Sequence, residues 1–192
     1  MREYHDPMGT TTETPLLTFE QFERMPEPDQ PGKQELLEGE LIEMPPPEYK
    51  HNTAATEIFL ALRAALSEAH SRGEAAVLGQ AFHEMGYRLT ERTWFVPDVS
   101  ISHPGQTVGK YLEGAPAIAI EVVSQYDRAA ALDRKTDLYC RNGAREVWRL
   151  YQETRRMVIH SGNPSQVRVE TETVTTPLLP GFSLTLREIL GD

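Results

Sequence analysis

Two acids sit in segments that a folded chain would normally fill with hydrocarbon. Asp98 lies in Trp94-Phe95-Val96-Pro97-Asp98-Val99-Ser100-Ile101, and Glu121 lies in Ala117-Ile118-Ala119-Ile120-Glu121-Val122-Val123. Both runs are apolar and rich in β-branched residues, so both read as strands, the second buried on both faces. A buried carboxylate costs on the order of several kcal/mol unless it meets a cation or hydrogen-bond donors. Lys135 follows on the next expected helix. Two acids and an amine in this order make a metal-dependent hydrolytic site the first hypothesis.

Side chains alternate along a strand, so Ala117, Ala119, Glu121 and Val123 share a face. On the helix, Leu132, Lys135 and Tyr139 are spaced i, i+3, i+7 and form the stripe that must cover that face. A lysine there either meets an anion, with Glu121 the nearest in sequence, or lays its stem on the core and sends its amine to water. Ser124 reads as the helix N-cap, with Asp127 at the N3 position, rather than as a nucleophile. His51, just before a long helix, reads as a cap or surface residue, with a role in the site as the alternative. Glu35 and Glu38 border a hairpin and read as solvated, although folding can carry one of them to the site. The other histidines lack zinc-ligand spacing, and no Gly-rich phosphate loop is present.

These residues need a scaffold. Thr18 and Gln21 form a capping-box pattern for a short helix, with Phe19, Phe22 and Met25 inward. Glu35–Met44 reads as a hairpin turning near Gly39, and Pro45-Pro46-Pro47 stops it. A helix from about Glu48 to Ser71 carries one apolar stripe, from Ala55 to Ala69, and ends at Gly73. Strands are expected near 74–78, 86–89 and 94–101, then a loop over 102–116. Residues 117–150 read as strand, helix (126–142), Gly143 stop and strand (145–150), a right-handed crossover between parallel strands. Strands near 156–160 and 167–172 read as a hairpin around Gly162-Asn163, and a short helix spans Leu186–Leu190. Residues 1–15 read as a disordered tail and 16–192 as one domain.

The chain has 192 residues, 39% hydrophobic and 25% charged, as expected of a water-soluble globular protein. It has no apolar run long enough to span a bilayer and no signal-peptide pattern at its start. Its single cysteine, Cys140, fits a small core position in a reducing cytoplasm. Acids number 29 against 19 Lys and Arg, for a net charge of −10, which argues against strong non-specific DNA binding. Charge is local, however. Between Arg128 and Arg156 basic residues outnumber acids, giving a positive stretch that is either a binding surface or an ordinary solvated face.

In order and spacing these pieces resemble the PD-(D/E)XK nuclease superfamily, and within it the Uma-two family, labelled both restriction endonuclease and domain of unknown function. The pieces are Glu35-Leu36-Leu37-Glu38-Gly39-Glu40-Leu41, His51, Pro97-Asp98-Val99, Gly114-Ala115-Pro116, Glu121-Val122-Val123-Ser124, Asp133, Lys135, Tyr139, Gly143, Glu146-Val147-Trp148 and Pro177-Leu178-Leu179-Pro180-Gly181-Phe182. The usual motif puts lysine two residues after the second acid, where this chain has Val123. Lys135 fits the migrated-lysine arrangement, in which the amine reaches the same point from the adjoining helix. Arg149-Leu150-Tyr151 departs from the family's apolar pair and aspartate, at a place expected to lie away from the site.

The resemblance implies an α/β (mixed α+β) restriction-endonuclease-like core, with a central mixed sheet flanked by helices. It implies Mg²⁺ or Mn²⁺ held by Asp98, Glu121 and the Val122 carbonyl. Lys135 would be the catalytic amine, and His51, Glu35 and Tyr139 would assist. It also implies a homodimer acting on nucleic acid, DNA before RNA. Fold alone does not guarantee activity. The competing readings are a catalytically silent nuclease-fold protein that binds nucleic acid or protein, and a purely structural domain with a Glu121–Lys135 pair, which leaves Asp98 without a partner.

Overall fold

The computed structural model describes residues 16–26, 28, 31–74, 77–125, 127–162 and 166–191. The tail expected over 1–15 lies outside them. Helix α1 (Phe19–Glu23) carries the expected capping box from Thr18 and Gln21. Strands β1 (Lys33–Leu37) and β2 (Glu40–Met44) follow, then helix α2 (Tyr49–Ser71). Next come β3 (Ala81–His83), β4 (Tyr87–Thr90), β5 (Thr93–Phe95), β6 (Val99–Ile101) and β7 (Leu112–Glu113). The strand–helix–strand unit is β8 (Ile118–Val123), α3 (Ala129–Arg141) and β9 (Glu146–Tyr151). The chain closes with β10 (Arg156–Ser161), β11 (Val167–Glu170), β12 (Thr173–Val174), β13 (Leu184–Thr185) and α4 (Leu186–Leu190).

The central sheet has six strands in the order β11-β10-β9-β8-β6-β3. It is mixed: β8 and β9 run parallel across the α3 crossover, as expected, and its other pairs are antiparallel. A second sheet, β2-β1-β5-β4-β7, lies alongside. One face of the central sheet (Val99, Ile101, Ile118, Ile120, Val122, Trp148, Leu150) packs on the apolar stripe of α2 and on α4. The opposite face (Ala119, Val147) joins a second core with Leu138 and Tyr139 of α3 and with Leu37, Tyr87 and Phe95 of the smaller sheet. Glu121 shares parity with Ala119, so it faces this second core.

The first hairpin turns through Glu38 and Gly39, both at positive φ (49° and 94°), the geometry that suits a two-residue connection between twisted strands. An added Cβ on Gly39 would lie 2.9 Å from the Leu16 Cβ, so glycine is needed there for space as well as for φ.

Several expectations are corrected. The segment 94–101 is two strands in two sheets, because Pro97 has no N–H for a ladder and the chain crosses from one sheet to the other at Val96-Pro97-Asp98. Among the described residues of 74–78 none is a strand; the strand forms at Ala81–His83, where Phe82 can join the second core. The 102–116 loop contains β7, which pairs with β4 in parallel. Met25 is exposed, because α1 has already ended and its aromatic contacts are made by Phe19 and Phe22. Helix α3 starts at Ala129 with Arg128 at the N-cap position, so Ser124 does not cap it. Instead the Ser124 amide donates to the Asp127 carboxylate at 2.7 Å, closing a turn ahead of the helix.

Candidate functional site

The crossing at Val96-Pro97-Asp98 frees backbone amides that need acceptors. Two acids supply them. Glu35 Oε1 accepts from the Val96 amide at 2.8 Å, and Asp98 Oδ2 accepts from the Val122 amide at 2.8 Å. Asp98 stands just before β6, and Glu121 stands on β8, the strand paired with β6. A residue in a sheet sends its N–H and C=O to the same side, so the Val122 carbonyl also points toward the Asp98 strand. Asp98, Glu121 and Glu35 are all buried.

Two lysines and a histidine answer them. Lys135 Nζ lies 2.9 Å from Glu121 Oε1, 2.9 Å from Glu35 Oε1 and 2.7 Å from Glu35 Oε2. It also lies 5.2 Å from the Phe95 ring centre, a cation–π distance. The inward lysine therefore meets anions and does not snorkel. Lys33 Nζ lies 3.2 Å from Asp98 Oδ1 and 4.0 Å from Glu35. His51 Nε2 lies 3.2 Å from Asp98 Oδ2; it sits inside the first turn of α2 and reaches Asp98 at the strand end. The Tyr139 hydroxyl donates to Glu121 Oε1 at 3.0 Å.

Burial opposes the charge on Lys135, but Glu121 and Glu35 outweigh it and hold its pKa above the usual lysine value. Burial likewise opposes ionisation of Asp98, but Lys33 and then His51 outweigh it and hold the carboxyl well below the usual range. For Glu121 burial dominates; Lys135 pulls the other way, Asp98 adds to the rise, and the carboxyl is pushed up to about 7. Asp98 raises the His51 value against burial, and burial with Glu121 and Glu35 raises Tyr139 well above its usual one. The site thus holds one firmly ionised acid, one poised near neutrality and a firmly protonated amine.

The donor set is carboxylate and carbonyl oxygen, which suits a hard divalent cation such as Mg²⁺ or Mn²⁺. Asp98 accepts from the Val122 amide, which adjoins Glu121 on the paired strand. In the observed rotamers, however, no group of three or more His, Cys, Asp or Glu among the described residues converges to hold a metal. Ammonium groups lie among the acids instead.

Sequence reasoning read Glu35 as solvated, with a place at the site as the alternative that the family resemblance also implied; it is 3% exposed and binds Lys135. That reasoning also missed Lys33. The available signal was strand alternation: Lys33, Glu35 and Leu37 share a face of β1, and Leu37 belongs to the core. The argument that a structural role would leave Asp98 unpartnered fails, since Lys33, His51 and the Val122 amide all reach it. Arg149 is less remote than expected. Register pairs it with Glu121 on the next strand, yet its guanidinium goes to Asp133 at 2.7 Å and His160 at 2.7 Å.

A crystal structure of a "putative nuclease belonging to DUF820" from Anabaena variabilis ATCC 29413 superposes with a TM-score of 0.75. It covers 91% of this chain and 97% of its own, at 18% identity, a likeness that shows the restriction-endonuclease-like fold. No curated protein matches. Among the described residues no helix is long and apolar enough to cross a membrane. Residues 19–187 match the family Uma2, described as "Putative restriction endonuclease", and the chain belongs to that family.

Proposed function

We propose that this protein is a Mg²⁺- or Mn²⁺-dependent nuclease that hydrolyses phosphodiester bonds of nucleic acid, with DNA the favoured substrate. The observation that carries the proposal is that Asp98 accepts from the Val122 amide, next to Glu121, while Lys135 from the covering helix contacts Glu121 and Glu35. Asp98, Glu121 and the Val122 carbonyl would hold the ion. When bound, it supplies Lewis acidity toward a phosphate oxygen and eases ionisation of a nearby water. Lys135 stays protonated between its two glutamates, so it orients an attacking water or steadies negative charge gathering on the phosphate. Glu35 and Tyr139 fix the amine and the Glu121 carboxylate. His51 is anchored on Asp98.

The test is cleavage of plasmid and single-stranded DNA, and of RNA, with Mg²⁺, Mn²⁺ or chelator. Asp98→Ala and Glu121→Ala should abolish cleavage while circular dichroism shows a folded chain. Wild-type rates in both variants would overturn the proposal. One observation favours a second reading, a silent nuclease-fold binding protein: every site acid already has a protein partner. Calorimetric titration with Mn²⁺ separates the two, since a silent scaffold gives no binding that depends on both acids. A symmetric homodimer acting in the cytoplasm is the assembly and setting proposed for the enzyme.

A further inference from the structure

The cluster carries three carboxylates, Glu35, Asp98 and Glu121, and faces them with Lys33, Lys135 and His51. Two ammonium groups thus stand among the acids before any metal arrives. A dication added to this poorly solvated cluster is opposed by the lysines already there, at distances where charge–charge energies are large. Both oxygens of Asp98 are engaged: Oδ1 by Lys33, Oδ2 by His51 and the Val122 amide. A metal at Oδ1 would share that oxygen with the Lys33 ammonium, whose charge repels it.

The two lysines are held very differently. Lys135 makes three contacts of 2.7–2.9 Å to two glutamates and lies against the Phe95 ring. Lys33 makes one contact at 3.2 Å and a second at 4.0 Å, and its side chain is 18% exposed against 13% for Lys135. It is the first residue of β1 and follows exposed Pro31 and Gly32, so its stem has solvent to swing into.

On the reading of the site given above, we propose that Lys33 is an exchangeable counter-cation: it neutralises Asp98 in the metal-free protein and is expelled when a divalent ion binds. Metal loading then delivers a free ammonium to the mouth of the site, where an arriving backbone phosphate gives it a new anion. Metal and substrate binding are coupled through this one side chain.

The experiment is calorimetric titration of Mn²⁺ into wild type, Lys33→Met, Lys33→Arg and Asp98→Ala at fixed salt. With it goes mass-spectrometric measurement of amine labelling at Lys33 and Lys135 in the wild type, with and without Mn²⁺. Lys33→Met should bind Mn²⁺ at least about tenfold more tightly. Lys33→Arg should stay near wild type, and Asp98→Ala should lose binding. Labelling of Lys33 should rise on saturation while that of Lys135 stays low. Binding by Lys33→Met alone, with none by wild type, would overturn the exchange and make Lys33 a fixed plug that the ion does not expel. Wild-type binding with equal or weaker binding by a folded Lys33→Met overturns the Lys33 proposal and leaves the metal site standing. Absence of binding by both removes the metal site, and the exchange with it. If Lys33→Met does not fold, the labelling decides: no Mn²⁺-induced rise at Lys33 overturns the exchange.

Discussion

Lys135 and Glu35, separated by 100 residues in sequence, meet through both carboxylate oxygens, at 2.9 Å to Oε1 and 2.7 Å to Oε2. Glu35 also accepts from the Val96 amide, so one side chain fastens helix α3 and the chain crossing to strand β1. Glu35→Ala removes both partners at once. It should cost about 2–4 kcal/mol, because a buried amide and a buried ammonium each lose an acceptor. Glu35→Gln keeps an acceptor for Val96 and should cost less. Urea unfolding of the two variants measures the difference, and equal costs would show that the charge alone matters.

Lys135→Met leaves Glu35 and Glu121 buried without their shared cation. The expected loss is about 3–5 kcal/mol in metal-free buffer. Mn²⁺ should raise the melting temperature of this variant more than that of the wild type. Cleavage should fall by about a hundredfold or more, the scale for removing one charge-stabilising donor. A variant that melts and cuts like the wild type would remove the amine from the mechanism.

Tyr139→Phe deletes the hydroxyl that donates to Glu121 but keeps the ring, which meets Phe95 edge-on at 5.1 Å. The expected cost is about 1 kcal/mol, with cleavage close to wild type. A collapse of activity with intact stability would instead give the hydroxyl a direct part in the reaction.

Glu146 provides a pH test away from the site. It is 3% exposed and accepts from the Trp148 indole at 2.8 Å, with Arg168 at 3.7 Å. Burial raises its pKa above the usual carboxylate value, against the Trp148 and Thr176 hydrogen bonds and Arg168. The folded state therefore holds this proton more tightly than the unfolded state. The stability tied to that proton is present below the unfolded pKa and is lost as pH rises through the folded one. Glu146→Gln lacks this loss, so its stability relative to wild type should improve as pH rises above the unfolded carboxylate value of about 4. Urea midpoints across that range check the sign.

Local chemistry was what the sequence expressed well. The Thr18 capping box, the Gly39 turn, the α2 stripe and the 117–150 crossover all depend on short-range spacing, and each formed as expected. The meeting of Glu121 with Lys135 was legible too, because alternation and helical period fix which faces oppose. The break at Pro97 was misread, because a proline inside an apolar run can mark an edge, a bulge or a change of sheet, and only the second sheet decides. Lys33 was missed, and Glu35 read first as solvated and only second as a site residue, for a related reason. Hairpin polarity reads as solvation until something is packed over it, and what covers β1 lies 60–100 residues away in sequence.

Arg134 contacts Glu38 at the hairpin turn and lies 3.7 Å from Glu40, so α3 is latched to the tip of the first hairpin as well as to Glu35 within it. The consequence is a matter of timing during synthesis. A chain that has emerged only through Glu121 has both acids but neither this latch nor the Lys135 amine. The cluster is thus complete only late, when the last contacts of long sequence separation close.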